Sequence, residues 1–203
     1  MGKTDNLIIL ENGVIYDPYK NKKKVGSILI VDGIVQEVGK VTGSDNARKI
    51  DCTGKLIVPG LIDIHAHFRE PGREDKETLA TGAMAAFSGG FTRVCVMPNT
   101  NPPLDSPETI RFIIEKSSGL PVQILPIGSI TIGQKGQELS EVGEMVKAGA
   151  VAISDDGLPV QNGQVLRNAL EYAHKYGVPV INHAEDIHLR NDGVMNESSL
   201  STR

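Results

Sequence analysis

Residues 59–72 have the sequence PGLIDIHAHFREPG. The apolar run after the Pro-Gly pair is typical of a β-strand. Residues two apart in a strand face the same side, so His65 and His67 are predicted to present both imidazoles in one direction. Neutral imidazole is a good zinc ligand, and two from one rigid strand form a preorganised pair. We therefore predict a metal site where this strand ends; the alternative is two half-exposed histidines without a metal.

Further short apolar runs follow, and they recur at roughly the 30-residue period of a βα unit. The predicted strands are 61–64, 93–97, 122–127, 150–153 and 178–182, with helices predicted near 75–88, 106–117, 138–148 and 164–176. Repeated βα units indicate a parallel sheet, either doubly wound or closed into a (β/α)₈ barrel. The helix starts are predicted at Ser106-Pro107, at Ser140 and at Asn162.

The first 58 residues have a different pattern. Two β-rich runs contain the turn signals Asn12-Gly13 and Asp32-Gly33, so each predicts a hairpin. A further pair of strands is predicted around Thr53-Gly54. Together these runs predict a small antiparallel β unit.

The composition excludes several classes of protein. A formal charge of −4 and a pI near 5.7 argue against a nucleic-acid partner. No stretch approaches the roughly 20 apolar residues that a membrane-spanning helix needs. Cys52 and Cys95 are too few and too far apart for a disulfide framework or a CxxC site, which suits a reducing cytoplasm.

Four segments resemble the motifs of dihydroorotases, within the amidohydrolase superfamily. They are DIHAHFREP at 63–71, MPNTNPPLD at 97–105, SDDG at 154–157 and NHAE at 182–185, and they span essentially the whole chain in order. The resemblance implies a (β/α)₈ TIM barrel of the metallo-dependent hydrolase type, of which about five βα units are present. It divides the chain into an incomplete N-terminal β-sandwich part, residues 1–58, and the first part of the barrel, residues 59–203.

The resemblance also implies the roles of individual residues. The implied metal ligands are His65, His67, Asp156 and His183, for one or two zinc ions. The implied binders of a substrate carboxylate are Arg69 and Asn99. Hydantoinases and many relatives carry a metal-bridging lysine at the strand-four position, whereas residues 151–156 contain none. Asp155, next to the implied ligand, is interpreted as a structural residue that orders its loop.

The implied reaction is the zinc-dependent, reversible hydrolysis of L-dihydroorotate to N-carbamoyl-L-aspartate in pyrimidine synthesis. The aspartate that acts as general acid/base and a further histidine ligand are expected beyond Arg203, so we expect the chain to be truncated and inactive alone. A homodimer is expected when it is complete, and an association with aspartate transcarbamoylase is a further expectation. The alternatives are another cyclic amidohydrolase (hydantoinase, dihydropyrimidinase or allantoinase), a non-catalytic scaffold subunit, or a metal-free α/β binding domain.

Overall fold

The computed structural model describes residues 6–42, 46–196 and 198–201. The chain divides into two compact units, Met1–Pro59 and Gly60–Arg203. The boundary lies one residue after the position at which the sequence pattern changes. None of the helices in the described ranges is long and apolar enough to cross a membrane.

The first unit is a five-stranded mixed sheet. Its strands are β1 (Leu7–Asp17), β2 (Lys22–Val31), β3 (Ile34–Gly39), β4 (Arg48–Asp51) and β5 (Leu56–Ile57). The strand order is β3-β2-β1-β4, and β5 also pairs with β1. The hairpin predicted at Asp32-Gly33 is confirmed: it joins β2 to β3, with φ angles of 49° and 82°. Positive φ at both positions is what a two-residue hairpin turn requires.

The hairpin predicted at Asn12-Gly13 is wrong, because β1 runs straight through this pair. The register between β1 and β2 shifts between Leu10 and Gly13, so Glu11 and Asn12 form a bulge opposite Ser27, and the chain does not turn here. Asn12 has φ of 60°, a conformation that asparagine tolerates in bulges as well as in turns. The chain reverses later, at residues 18–21.

The strand pair predicted around Thr53-Gly54 is also wrong in its pairing. β4 and β5 both lie parallel to β1 and do not pair with each other. The turn between them bonds to β1, since Cys52 N donates to Glu11 O (2.8 Å) and Val14 N donates to Lys55 O (2.9 Å). The unit is therefore mixed and not purely antiparallel.

The second unit alternates strands with helices. The strands β6 (Leu61–Ala66), β7 (Phe91–Val96), β8 (Gln123–Gly128) and β9 (Ala152–Ile153) form a parallel sheet in that order. The helices are α1 (Leu79–Ser88), α2 (Pro107–Lys116), α3 (Val142–Ala148), α4 (Gly163–Tyr176) and the short α5 (Ile187–Arg190). This succession confirms the parallel α/β arrangement that the sequence predicts.

The fifth predicted strand, 178–182, forms only a bridge between Val180 and Ile153. Ile153 N donates to Pro179 O (3.0 Å) and Ile181 N donates to Ile153 O (2.9 Å). Pro179 has no N–H, so it cannot donate a further ladder bond on its side of the bridge. The prediction of a full strand is therefore corrected to a single bridge.

Helix starts follow the predicted caps in two of three cases. The side chains of Ser106 and Asn162 accept bonds from the first turns of α2 and α4. Ser140 does not cap α3, which begins after Glu141. The Ser140 hydroxyl donates instead to Ser129 O (2.5 Å), inside the protein.

The apolar core of the second unit lies on both faces of the sheet. Along β7, Val94 and Val96 belong to the larger cluster, which the helices cover. Cys95 and Met97 alternate with them and belong to a smaller cluster with Ile127 and other residues. The strands β8 and β9 are mostly buried, as the strands of parallel sheets usually are. The edge strand β6 is more open, with Leu61, Ile62 and Ile64 between 48% and 68% exposed.

Candidate metal centre

The two histidines of the 59–72 segment lie at the carboxyl end of β6. His65 is the second-to-last residue of the strand, and His67 is the first residue after it. Their ring centroids are 5.2 Å apart and their planes are inclined by 68°. The imidazoles therefore lie beside each other, as the two-residue spacing predicts.

Asp156 brings a carboxylate to both imidazoles. Its Oδ1 lies 3.3 Å from His65 Nε2, and its Oδ2 lies 3.4 Å from His67 Nε2. Asp156 follows β9, three strands away from β6 in the sheet. The carboxyl ends of parallel strands meet at one edge, which explains how residues about 90 positions apart converge.

The three side chains fit a metal ion. Ligand atoms of His65, His67 and Asp156 all lie within 4.8 Å of one another. Two ligands that are about 2.1 Å from one tetrahedral zinc ion are about 3.4 Å apart. The observed nitrogen-to-oxygen distances of 3.3 and 3.4 Å match this spacing. Each oxygen of the Asp156 carboxylate faces one imidazole. The arrangement therefore suits either a single metal ion or two metal ions that share this carboxylate.

Asn99 contacts two members of this group. It follows β7, and its Oδ1 lies 2.9 Å from His67 Nδ1 while its Nδ2 donates to Asp156 Oδ2 (3.3 Å). With the amide oriented this way, His67 Nδ1 carries the hydrogen and donates to Asn99 Oδ1. The His67 Nε2 lone pair is then free to face a cation. Sequence reasoning assigned Asn99 to the substrate and missed this contact.

Arg69 lies two residues beyond His67 and is half-buried, with φ of 24°. Within the described residues its guanidinium makes no hydrogen bond or ion pair. The carboxylates near it in the sequence, Glu70 and Asp63, are engaged elsewhere. Glu70 accepts from Leu79 N (2.7 Å) and pairs with Lys116, and Asp63 Oδ1 accepts from His65 N (3.0 Å). The arginine fork is therefore available for an anion.

His183 is not part of the three-residue group. Its Nε2 lies 3.8 Å from Glu185 Oε2, and the other oxygen of Glu185 is 2.9 Å from Arg190 Nε. Its assignment as a ligand thus stays a prediction. His174 and His188 are exposed and also lie outside the group.

Asp155, the neighbour of Asp156, points into the protein. Its carboxylate accepts bonds from Ile130 N (2.8 Å), from Thr131 N (3.1 Å) and from the Thr131 hydroxyl. Burial raises the pKa of this carboxyl, and the three hydrogen bonds oppose the rise. Asp155 therefore orders the loop after β8, but its partner Thr131 carries no local sequence signal that would have identified it.

Known structures share this fold. L-hydantoinase (dihydropyrimidinase) from Arthrobacter aurescens superposes with a TM-score of 0.76 at 23% identity, over 88% of this chain and 41% of that chain. The likeness confirms the predicted fold class, α/β with a barrel-type parallel sheet and a strand-rich N-terminal part.

Sequence comparison is more specific. A family model described as dihydro-orotase-like matches residues 54–203. The dihydroorotase of Desulforapulum autotrophicum is 48% identical over 202 residues, which are 97% of this chain and 47% of that protein. The dihydroorotase of Solibacter usitatus is 46% identical over 97% of this chain and 46% of that protein. The chain belongs to the dihydro-orotase-like family, and it spans about half the length of these curated relatives.

Proposed function

We propose that the protein is a zinc-dependent dihydroorotase, which interconverts L-dihydroorotate and N-carbamoyl-L-aspartate in pyrimidine synthesis. The observation that carries this proposal is the close approach of His65, His67 and Asp156 in a chain of this family. His183 is kept as a further proposed ligand. The number of ions stays open, because each oxygen of Asp156 faces a different imidazole.

The group suits an amide hydrolase chemically. A zinc ion held there would polarise the ring carbonyl and supply a water of lowered pKa near neutral pH. The chain's own part is to hold the ligands in place. Asn99 fixes the tautomer of His67 and donates to Asp156. The lone pair on His67 Nε2 and the Asp156 carboxylate are thereby held towards the proposed zinc position.

Arg69 and Asn99 are the proposed contacts of the substrate carboxylate. A guanidinium fork binds a carboxylate through two parallel hydrogen bonds, and that of Arg69 has no partner among the described residues. Asn99 Nδ2 carries two hydrogens, of which one is directed at Asp156. The second has no partner among the described residues and can donate to the substrate, so the two roles of Asn99 are compatible.

Two alternatives make different predictions. A hydantoinase-type enzyme would cleave hydantoins or dihydropyrimidines, but residues 151–156 hold no lysine to bridge two metals. A non-catalytic scaffold subunit would have no need of the His65, His67 and Asp156 group. A substrate panel of dihydroorotate, hydantoin, dihydrouracil and allantoin separates the three readings.

The test uses the protein expressed from its complete reading frame. We expect bound zinc by elemental mass spectrometry, and ring opening of dihydroorotate in preference to the other substrates. His67→Asn should remove the zinc and the activity together. The matched control is His174→Asn, which changes an exposed histidine of α4 and should leave both unchanged. A metal-free wild-type protein, or one that prefers hydantoin, would reject the proposal.

The setting of the enzyme is also proposed. The free cysteines Cys52 and Cys95 suit a reducing compartment such as the cytoplasm. The homodimer and the association with aspartate transcarbamoylase rest on family resemblance alone. Light scattering, with and without added transcarbamoylase, tests both.

A further inference from the structure

Buried polar side chains are concentrated in the segments next to Asp156 of the candidate metal centre. The described residues include seven buried polar or charged residues, and six of them lie in the segments that follow β8 and β9. These six, which we term the buried polar network, are Ser129, Thr131, Gln134, Ser140, Ser154 and Asp155. The seventh is Glu70.

Asp155 is the centre of this network. It is 2% exposed and accepts bonds from Ile130 N, Thr131 N and the Thr131 hydroxyl. The same hydroxyl accepts from Gly136 N (2.9 Å). Ser154 N donates to Gly128 O (2.8 Å), so a backbone bond next to Asp155 also joins the ends of β8 and β9.

The network extends to the loop after β7. Ser129 N donates to Leu104 O (2.7 Å), and Gly133 N donates to Asp105 Oδ2 (2.7 Å). That loop also contains Asn99, whose amide donates directly to the Asp156 carboxylate. Asp156 is therefore fixed from two directions, through its side chain by Asn99 and through its backbone by Asp155.

Such a network is unfavourable for stability alone. Burying polar groups costs free energy unless every group is paired, and three atoms here have no protein partner: Ser129 Oγ, Gln134 Nε2 and Ser154 Oγ. An apolar packing of these strand ends would avoid the cost. What the polar network provides is a fixed geometry, and the residue next to its central carboxylate is the proposed ligand Asp156.

We propose that Asp155 is a positioning residue, which anchors the segment after β9 to Thr131 so that the Asp156 carboxylate stays between His65 and His67. The inference rests on the proposed metal centre and deepens it. The Asp155 side chain bonds to Ile130 and Thr131 and to none of the proposed ligand side chains, so it acts on Asp156 through the backbone. Loss of an outer partner of a metal ligand commonly weakens metal affinity by about 10–100-fold.

The first test is Asp155→Asn in the protein from its complete reading frame. Asparagine keeps the size of the side chain and one oxygen for the N–H groups of Ile130 and Thr131. It places an NH2 donor where Oδ2 accepts from the Thr131 hydroxyl, so it opposes that bond. We expect a 10–100-fold weaker zinc affinity in a competition titration with a chelator. We also expect a changed visible absorption spectrum of the cobalt-substituted protein, because the spectrum reports ligand geometry.

Two variants of Thr131 keep the test decisive if Asp155→Asn does not fold. Thr131→Val preserves the shape but removes the hydroxyl, and should weaken zinc affinity in the same direction by a smaller factor. Thr131→Ser restores the hydroxyl and should restore the affinity and the cobalt spectrum.

Asn162→Ala is the matched control for a merely structural effect. Asn162 lies in the same connection between β9 and α4, is exposed, and caps α4 by accepting from Gln164 N (3.0 Å) and Val165 N (3.3 Å). Its loss should lower stability to urea without altering zinc affinity or the cobalt spectrum.

The outcomes are separable. If the wild-type protein binds no metal, the proposed function fails and this inference fails with it. If wild type binds zinc while Asp155→Asn and Thr131→Val bind it equally well with the same cobalt spectrum, the positioning role alone is overturned. Weaker binding in both, with rescue by Thr131→Ser, supports it.

Discussion

The two units of the chain use buried polar groups in opposite ways. Among the described residues of the first unit, the buried side chains are those of Ile9, Ile28, Leu29 and Cys52, and no charged side chain is buried. In the second unit, two carboxylates and five other polar residues are buried. The second unit thus bears the free-energy cost of burying polar groups, which the first unit does not. Most of these buried groups lie near the candidate metal centre.

The strand arrangement explains the difference. In the mixed sheet of the first unit, strands run in both directions, so their ends and turns are shared between opposite edges. In the second unit all four strands run the same way, so four loops leave from one edge. Residues from three of those loops meet in the group of His67, Asn99 and Asp156. The comparison predicts that function and stability respond to different substitutions in the two units.

The largest contrast is expected between two aspartates. Asp156→Ala removes a ligand from the candidate metal centre and should weaken zinc affinity by more than the 100-fold upper end seen for outer partners. Asp51→Ala removes an exposed carboxylate from the first unit and should leave zinc affinity unchanged. Zinc titrations of both variants measure the contrast, and equal losses would erase it.

The next contrast concerns apolar burial. Ile110 of α2 is fully buried, and Ile110→Ala should cost about 2–5 kcal/mol of unfolding free energy, because it leaves a cavity. Ile34 of β3 is 64% exposed, and Ile34→Ala should change stability by less than about 0.5 kcal/mol. Urea unfolding measures both. A large loss for Ile34→Ala would show that its side chain is covered in the intact protein.

A pair of glycines tests packing inside the second unit. A Cβ on Gly82 of α1 would lie 2.7 Å from the ring of Phe68, whereas a Cβ on Gly163 of α4 would meet nothing within 4 Å. Gly82→Ala should therefore destabilise by about 1–3 kcal/mol despite its better helix propensity. Gly163→Ala should stabilise by about 0.4–1 kcal/mol. Thermal unfolding of the two variants should shift in opposite directions; a shared sign would contradict the close packing at Phe68.

The smallest expected effect lies in the first unit. The hydroxyl of Thr53 donates to Asp51 (2.7 Å), with help from Thr53 N and Asn12, and this holds the pKa of the Asp51 carboxyl below its ordinary value of 3.8. A lowered folded-state pKa contributes stability above pH 3.8 that is lost as the pH falls through the lowered value. Thr53→Val should move this pKa back up towards 3.8 in an NMR titration. An unchanged pKa would mean that the hydroxyl bond does not form in solution.

Local patterns in the sequence were sufficient where the structure depends on neighbours along the chain. The spacing of His65 and His67, the hairpin at Asp32-Gly33 and the caps at Ser106 and Asn162 are of this kind. Each depends on a few consecutive residues, whose geometry follows from strand alternation, turn conformation or capping.

The predictions that were wrong depended on distant partners. Asn12-Gly13 has the composition of a turn, but the pairing of β1 with strands on both sides makes it a bulge. The exception is the segment 178–182, where Pro179, a residue of the segment itself, interrupts an apolar pattern that suits a full strand. The contacts of Asn99 and Thr131 also join separate loops, so no periodicity in the sequence could have indicated them.

The alternation of β6 has a consequence for changes in chain length. A substitution at His65 or His67 removes one imidazole, but the loss of a single codon between Leu61 and Ile64 would turn both imidazoles to the opposite face while retaining both residues. The pairing of β6 with β7 is already irregular at two points. The hydrogen bonds between these two strands would therefore offer little resistance to a one-residue shift of β6. Along this strand, an exchange of side chain at Ile62 should be tolerated far better than an insertion or deletion of one residue.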